Sequence, residues 1–188
     1  MNYTAITGYL WLVLFSYWLI AALHRKKTVY RQSFVSQWLI STGLGCSFTL
    51  VYFPDLSIGV LGRQLAPHTP IWGLAGVLCC GSGVGFAIWA RLMLGRNWSG
   101  VVTLKEDHEL IRRGPYRYVR HPIYSGFLLG LFGATLTVGL VRAALGTALL
   151  LAVFLYKIHK EERLLSRQFP EDYAAYRRQV KALVPFVI

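Results

Sequence analysis

An all-α protein that crosses a membrane several times is the fold class predicted here, on three observations. The chain of 188 residues is 55% hydrophobic although it carries 20 Lys+Arg against 8 Asp+Glu, a formal net charge of +12. The charges are not dispersed among the apolar residues but lie between long charge-free runs. Almost all the basic residues fall in alternate connections. The length fits one domain, and the composition excludes a disordered chain, a collagen-like repeat or a disulfide-stapled module.

The runs define the elements. Ala5 to Leu23, Phe34 to Phe53 and Ile71 to Ala90 contain 19, 20 and 20 residues without a charge. At about 1.5 Å per residue each crosses a hydrocarbon core of roughly 30 Å. Ile123 to Tyr156 is interrupted only by Arg142. As a single helix it would run about 50 Å, too long for one crossing. Folding at Gly139–Arg142 gives a hairpin, so five spans are expected, with Lys157 snorkelling to the headgroups. The first run has no basic residue before it, and Arg25, Lys26, Lys27 and Arg31 follow it. That order fits a retained helix rather than a signal peptide.

Topology follows from the same count. The connection after the first run holds 4 Lys or Arg, the one between the third and fourth holds 7, and the segment after the fifth holds 7. Only Arg63 and Arg142 lie opposite. The positive-inside rule then puts the amino terminus outside the cytosol, and the basic connections and carboxyl terminus in it. Basicity is thereby explained as topology and contact with anionic lipid, and no nucleic-acid partner is expected. Seven of the eight acids share the basic side, so a polar site would open there. The expected organisation is one membrane domain over residues 1–188. Residues 1–94 form three spans, 95–122 a cytosolic loop, 123–158 a transmembrane hairpin and 159–188 a cytosolic tail with a short amphipathic helix.

Smaller patterns refine this outline. Gly81–Gly85 and Gly126–Gly130 are GxxxG pairs, predicting close packing of the third and fourth helices. Cys46, Cys79 and Cys80 sit in apolar runs without ligand spacing, so they read as buried hydrophobes and no metal is expected. Pro122 and Pro170 suit first helical turns. Glu161 and Glu162 are adjacent carboxylates at a membrane boundary, costly there unless solvated or paired. Lys157 stands four residues before Glu161, on the same helical face. Tyr173, Tyr176, Arg177 and Val180 share a face of the last helix.

Arg120-His121-Pro122-x-Tyr124-x-Gly126, the apolar hairpin, Glu161-Glu162 and Phe169-x-x-x-Tyr173-x-x-Tyr176 together resemble the isoprenylcysteine carboxyl methyltransferase family. Membrane phospholipid N-methyltransferases are its broader relatives. The likeness covers roughly Leu94 to Phe186; the family's tails usually carry Gly where this chain has Pro170. The resemblance implies an integral membrane enzyme that transfers a methyl group from S-adenosylmethionine to a lipophilic acceptor, an isoprenylcysteine carboxylate above all. Carried over by motif, Thr103, His108, Ile111, Tyr116, His121, Tyr124, Glu161 and Glu162 would line the cofactor pocket. Lys157, Glu161 and His121 would serve the reaction, with Lys157 near the acceptor.

The chemistry of these side chains is compatible with that cofactor. A carboxylate accepts from ribose hydroxyls or an ammonium, and His121 or a neighbouring Arg can hold a carboxylate. A tyrosine ring attracts a sulfonium. The residues themselves leave the acceptor open. A phospholipid amine, a small lipophilic amine or thiol, and a non-catalytic lipid-sensing or scaffold module are the alternatives.

Overall fold

The charge-free runs become helices whose ends differ from the sequence boundaries by a few residues. The structure is a computed structural model that describes residues 1–22, 28–31, 33–95, 103–105 and 110–187. In chain order it has α1 (Tyr3–Ala22), β1 (Thr28–Arg31), α2 (Phe34–Tyr52), α3 (Pro70–Leu94), β2 (Thr103–Lys105), α4 (Pro122–Val138), α5 (Val141–Gln168) and α6 (Pro170–Gln179). The protein is nearly all-helical, and its apolar helices make it an integral, multi-pass membrane protein. Of these, α1, α2, α3 and α5 have the length and hydropathy of membrane spans. The fifth apolar helix, α4, has 17 residues, about 26 Å of rise. Among the described residues, β1 pairs antiparallel with β2, and Arg31 stands opposite Thr103.

Local sequence sets the helix ends. Proline occupies the first turn of α3, α4 and α6, where its missing N–H leaves no bond unmade. Gly139 closes α4 at φ 64°, a left-handed conformation that glycine adopts without a Cβ clash. The turn is therefore Gly139–Leu140, and Arg142 lies in the first turn of α5 rather than in the turn itself. There Arg142 is buried. Its Nη1 donates to the carbonyls of Leu50 and Val51 at 2.7 and 2.6 Å, and its Nε donates to Ser57 Oγ at 2.9 Å. Those carbonyls end α2 and have no partner within it, so the guanidinium caps a neighbouring helix.

Helix α5 continues unbroken past residue 158 to Gln168. Residues 158–168 contain no Gly or Pro and are rich in good helix formers. The break comes at Phe169, which Pro170 excludes from the helical region. At 28 residues, α5 rises about 42 Å and outruns the hydrocarbon core, lifting its last turns clear as a polar stalk.

Helix α4 packs most closely on α3, and the contact is a ladder of small residues. A Cβ on Gly126 would meet Gly83 O at 2.6 Å and the Ala87 Cβ at 2.8 Å; one on Gly76 would meet Gly133 O at 2.6 Å. The seam on α3 is Gly76, Cys80, Gly83 and Ala87. Gly81 instead faces Leu10 of α1, and Gly85 faces open space. The predicted pair of helices is right and the predicted α3 register is wrong. Gly81–Gly85 and Gly76/Gly83 lie on different faces of the helix, and only the partner decides which is used. Of the three cysteines read as buried, Cys80 is buried in this seam, Cys79 is half-buried and Cys46 is exposed on α2.

The interior is aromatic. Trp11 of α1 lies 5.2 Å from Phe127 of α4, which is 6.1 Å from Phe154 of α5. Phe154 stacks on Tyr124 at 4.6 Å, and Tyr124 stacks on His121 at 5.5 Å. This run of rings leads from the hydrocarbon core to the polar stalk.

Candidate functional site

His121 is the residue immediately before α4, and Pro122 behind it fixes the helix start. Its imidazole is buried between the two glutamates of α5. Nδ1 is 3.5 Å from Glu161 Oε2, and Nε2 is 3.3 Å from Glu162 Oε1. Both ring nitrogens therefore face carboxylate oxygens, which suits the imidazolium with two N–H donors. Burial opposes charge on the ring, but hydrogen bonds and proximity to Glu161 and Glu162 override it and raise the pKa above the ordinary histidine value.

The two glutamates have different surroundings. Glu162 Oε1 accepts from Arg120 Nε at 2.9 Å and from Arg120 Nη2 at 2.6 Å, and Glu162 Oε2 lies 3.4 Å from Arg177 Nε of α6. Three basic side chains thus saturate it. Glu161 accepts from the Tyr124 hydroxyl at 2.5 Å and faces His121. Its side chain is 20% exposed against 11% for Glu162. A carboxylate has about four lone-pair sites, so Glu161 keeps capacity for a further donor. Lys157, one turn before Glu161, is buried rather than snorkelling, with Nζ 5.2 Å from the Tyr124 ring centroid. An aromatic face and a nearby carboxylate stabilise the ammonium there better than the apolar path to the headgroups would.

The segment after α6 forms the outer wall. Arg120 N and His121 N donate to Lys181 O and Ala182 O at 2.8 and 2.9 Å, and the Arg120 guanidinium also donates to Val180 O. Ser125 Oγ donates to Leu183 O at 2.6 Å. Helix α6 is held by the buried Tyr173 and Tyr176, the Tyr176 hydroxyl donating to the Tyr116 carbonyl. Tyr116 is itself buried in a short 3-10 turn, Gly114–Arg117, and burial pushes its phenol well above the usual range. Burial likewise pushes Tyr176 up to about 12. Farther out, Arg112 and Asp172 pair at 2.7 Å across the same junction.

Of the residues singled out in the sequence, the structure thus gathers His121, Tyr124, Lys157, Glu161 and Glu162 into one cluster, with Tyr116 beside it. Ile111 is half-buried at the approach to the 3-10 turn. Thr103 lies in β2, but its side chain, like His108 as a whole, lies outside the described residues. Sequence reasoning did not place Arg120 or Arg177 among the site residues: Arg120 entered only as a motif residue and Arg177 as one residue of a helix face. The available signal was the Glu161-Glu162 pair, which required buried cations from elsewhere in the chain.

Comparison with known proteins agrees with this geometry. The model of the isoprenylcysteine carboxyl methyltransferase (ICMT) family matches residues 76–167, from the α3 seam to the end of the stalk. The protein-S-isoprenylcysteine O-methyltransferase of Schizosaccharomyces pombe is 33% identical over 115 residues, 60% of this chain and 48% of the relative. A probable protein-S-isoprenylcysteine O-methyltransferase of Oryza sativa subsp. indica is 28% identical over 174 residues, 91% of this chain and 88% of the relative. Among solved structures, the eukaryotic intramembrane Ras methyltransferase ICMT shares the fold with a TM-score of 0.57 at 23% identity, over 85% of this chain and 55% of that one. The chain spans about half the length of the yeast relative and of the solved structure. In the seam of α3 and α4, the His121 motif and the paired glutamates of α5, residues 76–167 of the chain match the isoprenylcysteine carboxyl methyltransferase family.

Proposed function

We propose that the protein is an S-adenosylmethionine-dependent methyltransferase whose acceptor is the carboxylate of an isoprenylcysteine. The observation that carries this reading is the burial of His121 between Glu161 and Glu162, against Tyr124, where α4 begins and the α5 stalk emerges. The relatives named for this activity support it. By the positive-inside count the cluster faces the cytosol and the amino terminus lies outside it.

The donor set fits the cofactor. When bound, S-adenosylmethionine supplies an electrophilic methyl group on a sulfonium. Glu161, the more open carboxylate, accepts from the donors of the cofactor, its ribose hydroxyls or ammonium. Glu162 has a different task, because Arg120, His121 and Arg177 already surround it: it fixes the cluster. His121 is a positioning residue, holding both carboxylates by its two N–H groups rather than reaching for a carboxylate of its own. Tyr116 or Tyr124 faces the sulfonium in this reading, an attraction of up to about 2 kcal/mol where water is excluded.

Lys157, buried against Tyr124, places a cation where an acceptor carboxylate can be drawn in and oriented. Such an acceptor is already ionised and needs no general base. The chain then contributes alignment and exclusion of water. Thr103, His108 and Ile111 complete the reading as cofactor contacts from the loop before α4. That loop (95–122), the apolar hairpin (123–158) and the following segment (159–188) act as one membrane domain with the three preceding helices (1–94).

The test is methyl transfer from labelled S-adenosylmethionine to N-acetyl-farnesylcysteine, phosphatidylethanolamine and a small thiol, with protein in lipid nanodiscs. The expected product is a base-labile methyl ester on the farnesylcysteine, lost in Glu161→Gln. Label confined to the lipid amine or to the thiol overturns the assignment of the acceptor.

A further inference from the structure

The segment Leu183–Val187 has no part in the cluster, and it lies outside the stretch matched by the family model. Leu183 is buried, and its carbonyl is held by Ser125 in the first turns of α4. That bond fixes the segment at the height where α4 becomes apolar. The chain then turns outward: Phe186 is 95% exposed and Val187 65%, with Val184 half as exposed as Phe186. Phe186 has φ 66°, a left-handed conformation that bulky residues rarely adopt, here within a turn that leaves the ring outside the fold.

Exposed cations stand on the stretches of chain that adjoin the tip: Arg178 and Lys181 shortly before it in sequence, and Arg117 in the 3-10 turn. The Val119–Lys181 bridge joins the two stretches two residues before Leu183, and the Arg117 guanidinium lies 5.7 Å from the ring of Tyr118, the residue before Val119. The first turn of α2 shows the same habit at the same end of the bundle. Phe34 and Val35 are exposed there, and Ser36 Oγ lies 2.9 Å from the Tyr156 hydroxyl on α5. Apolar side chains at one height, with cations and an aromatic beside them, match the boundary between hydrocarbon and anionic headgroups.

We propose that Val184–Val187, flanked by Arg117, Arg178 and Lys181, docks into the headgroup–hydrocarbon boundary of a leaflet containing anionic lipid. Docking holds the strap of Val180–Leu183, and with it α6, against Arg120 and His121. The proposal is independent of methyl transfer.

The test uses the full chain with its three cysteines replaced and a nitroxide on Phe186→Cys, in phosphatidylcholine nanodiscs with and without phosphatidylserine. Relaxation by oxygen and by a water-soluble nickel chelate is compared with a label on Glu171→Cys, an exposed site at the start of α6. The label at 186 is expected to favour oxygen and the one at 171 the chelate. Lys181→Gln is expected to weaken the preference for phosphatidylserine discs about fivefold. Equal access of the chelate to both labels overturns the proposal. Because Cys80 lies in the α3–α4 seam, a second arm keeps the native cysteines and places p-benzoylphenylalanine at position 186. Photoadducts on phospholipid support docking; adducts only on a second copy of the chain, or none, refute it.

Discussion

Replacing Glu162 by glutamine tests whether the cluster is a buried ionic lock or a set of surface ion pairs. The substitution keeps the shape and removes one negative charge. Arg120 and His121, both buried, and the more exposed Arg177 are then opposed by Glu161 alone. Removing one member of a buried pair costs about 3–5 kcal/mol. His121 can shed its proton in response, which places the cost near the lower end. At roughly 2–4 °C per kcal/mol for a chain of this size, the melting temperature should fall by about 6–12 °C. Asp172→Asn is the control, since its pair with Arg112 has side chains 40% and 70% exposed and contributes about 0–1 kcal/mol. Thermal unfolding followed by tryptophan fluorescence in one detergent measures both. The double variant with Arg120→Gln should lose less than the sum of the single losses, because the two residues share one interaction. Equal small shifts for Glu162→Gln and Asp172→Asn, or strict additivity with Arg120→Gln, would refute the buried lock.

Two further outcomes follow from the geometry. Gly83→Ala should destabilise the protein by about 1–3 kcal/mol, because its Cβ enters the backbone of Gly126 and Gly130, whereas Gly85→Ala should be neutral or better in the same melt; the reverse order would restore the Gly81–Gly85 register. His121 has a raised pKa in the fold. Its protonated form therefore contributes stability that is fully present below about pH 6.5, the unfolded value, and is lost as pH rises through the raised value. A melt series across pH should show this loss in the parent protein and not in His121→Gln.

The spans were legible because a bilayer leaves a blunt signature: charge-free runs of about 20 residues with cations at alternate ends. The motif residues were legible as a set, and five of them, Arg120, His121, Tyr124, Glu161 and Glu162, meet within hydrogen-bonding range. The chain hid those details that depend on a partner surface. Gly81 and Gly83 carry the same local signal, and only the approach of α4 selects the second. Arg142 reads as a turn residue until the carbonyls ending α2 come within reach. Lys157 reads as a snorkelling cation until Tyr124 and Glu161 supply an interior partner. Arg120 entered only as a motif residue because the segment that folds back over it, Val180–Leu183, does not announce the contact in its residue types. Its backbone carbonyls do the work, and they leave no trace in residue type.

The central claim is that the stalk of α5 and the start of α4 form a binding site for a sulfonium donor. The most direct measurement is equilibrium binding of S-adenosylmethionine to the purified chain in nanodiscs, by titration calorimetry, with Glu161→Gln and Asp172→Asn in parallel. The account predicts saturable binding at one site per chain, unchanged in Asp172→Asn and weakened at least tenfold in Glu161→Gln, the loss of about one charge-assisted hydrogen bond. Absence of binding to a folded parent chain, or equal binding to Glu161→Gln, would contradict it.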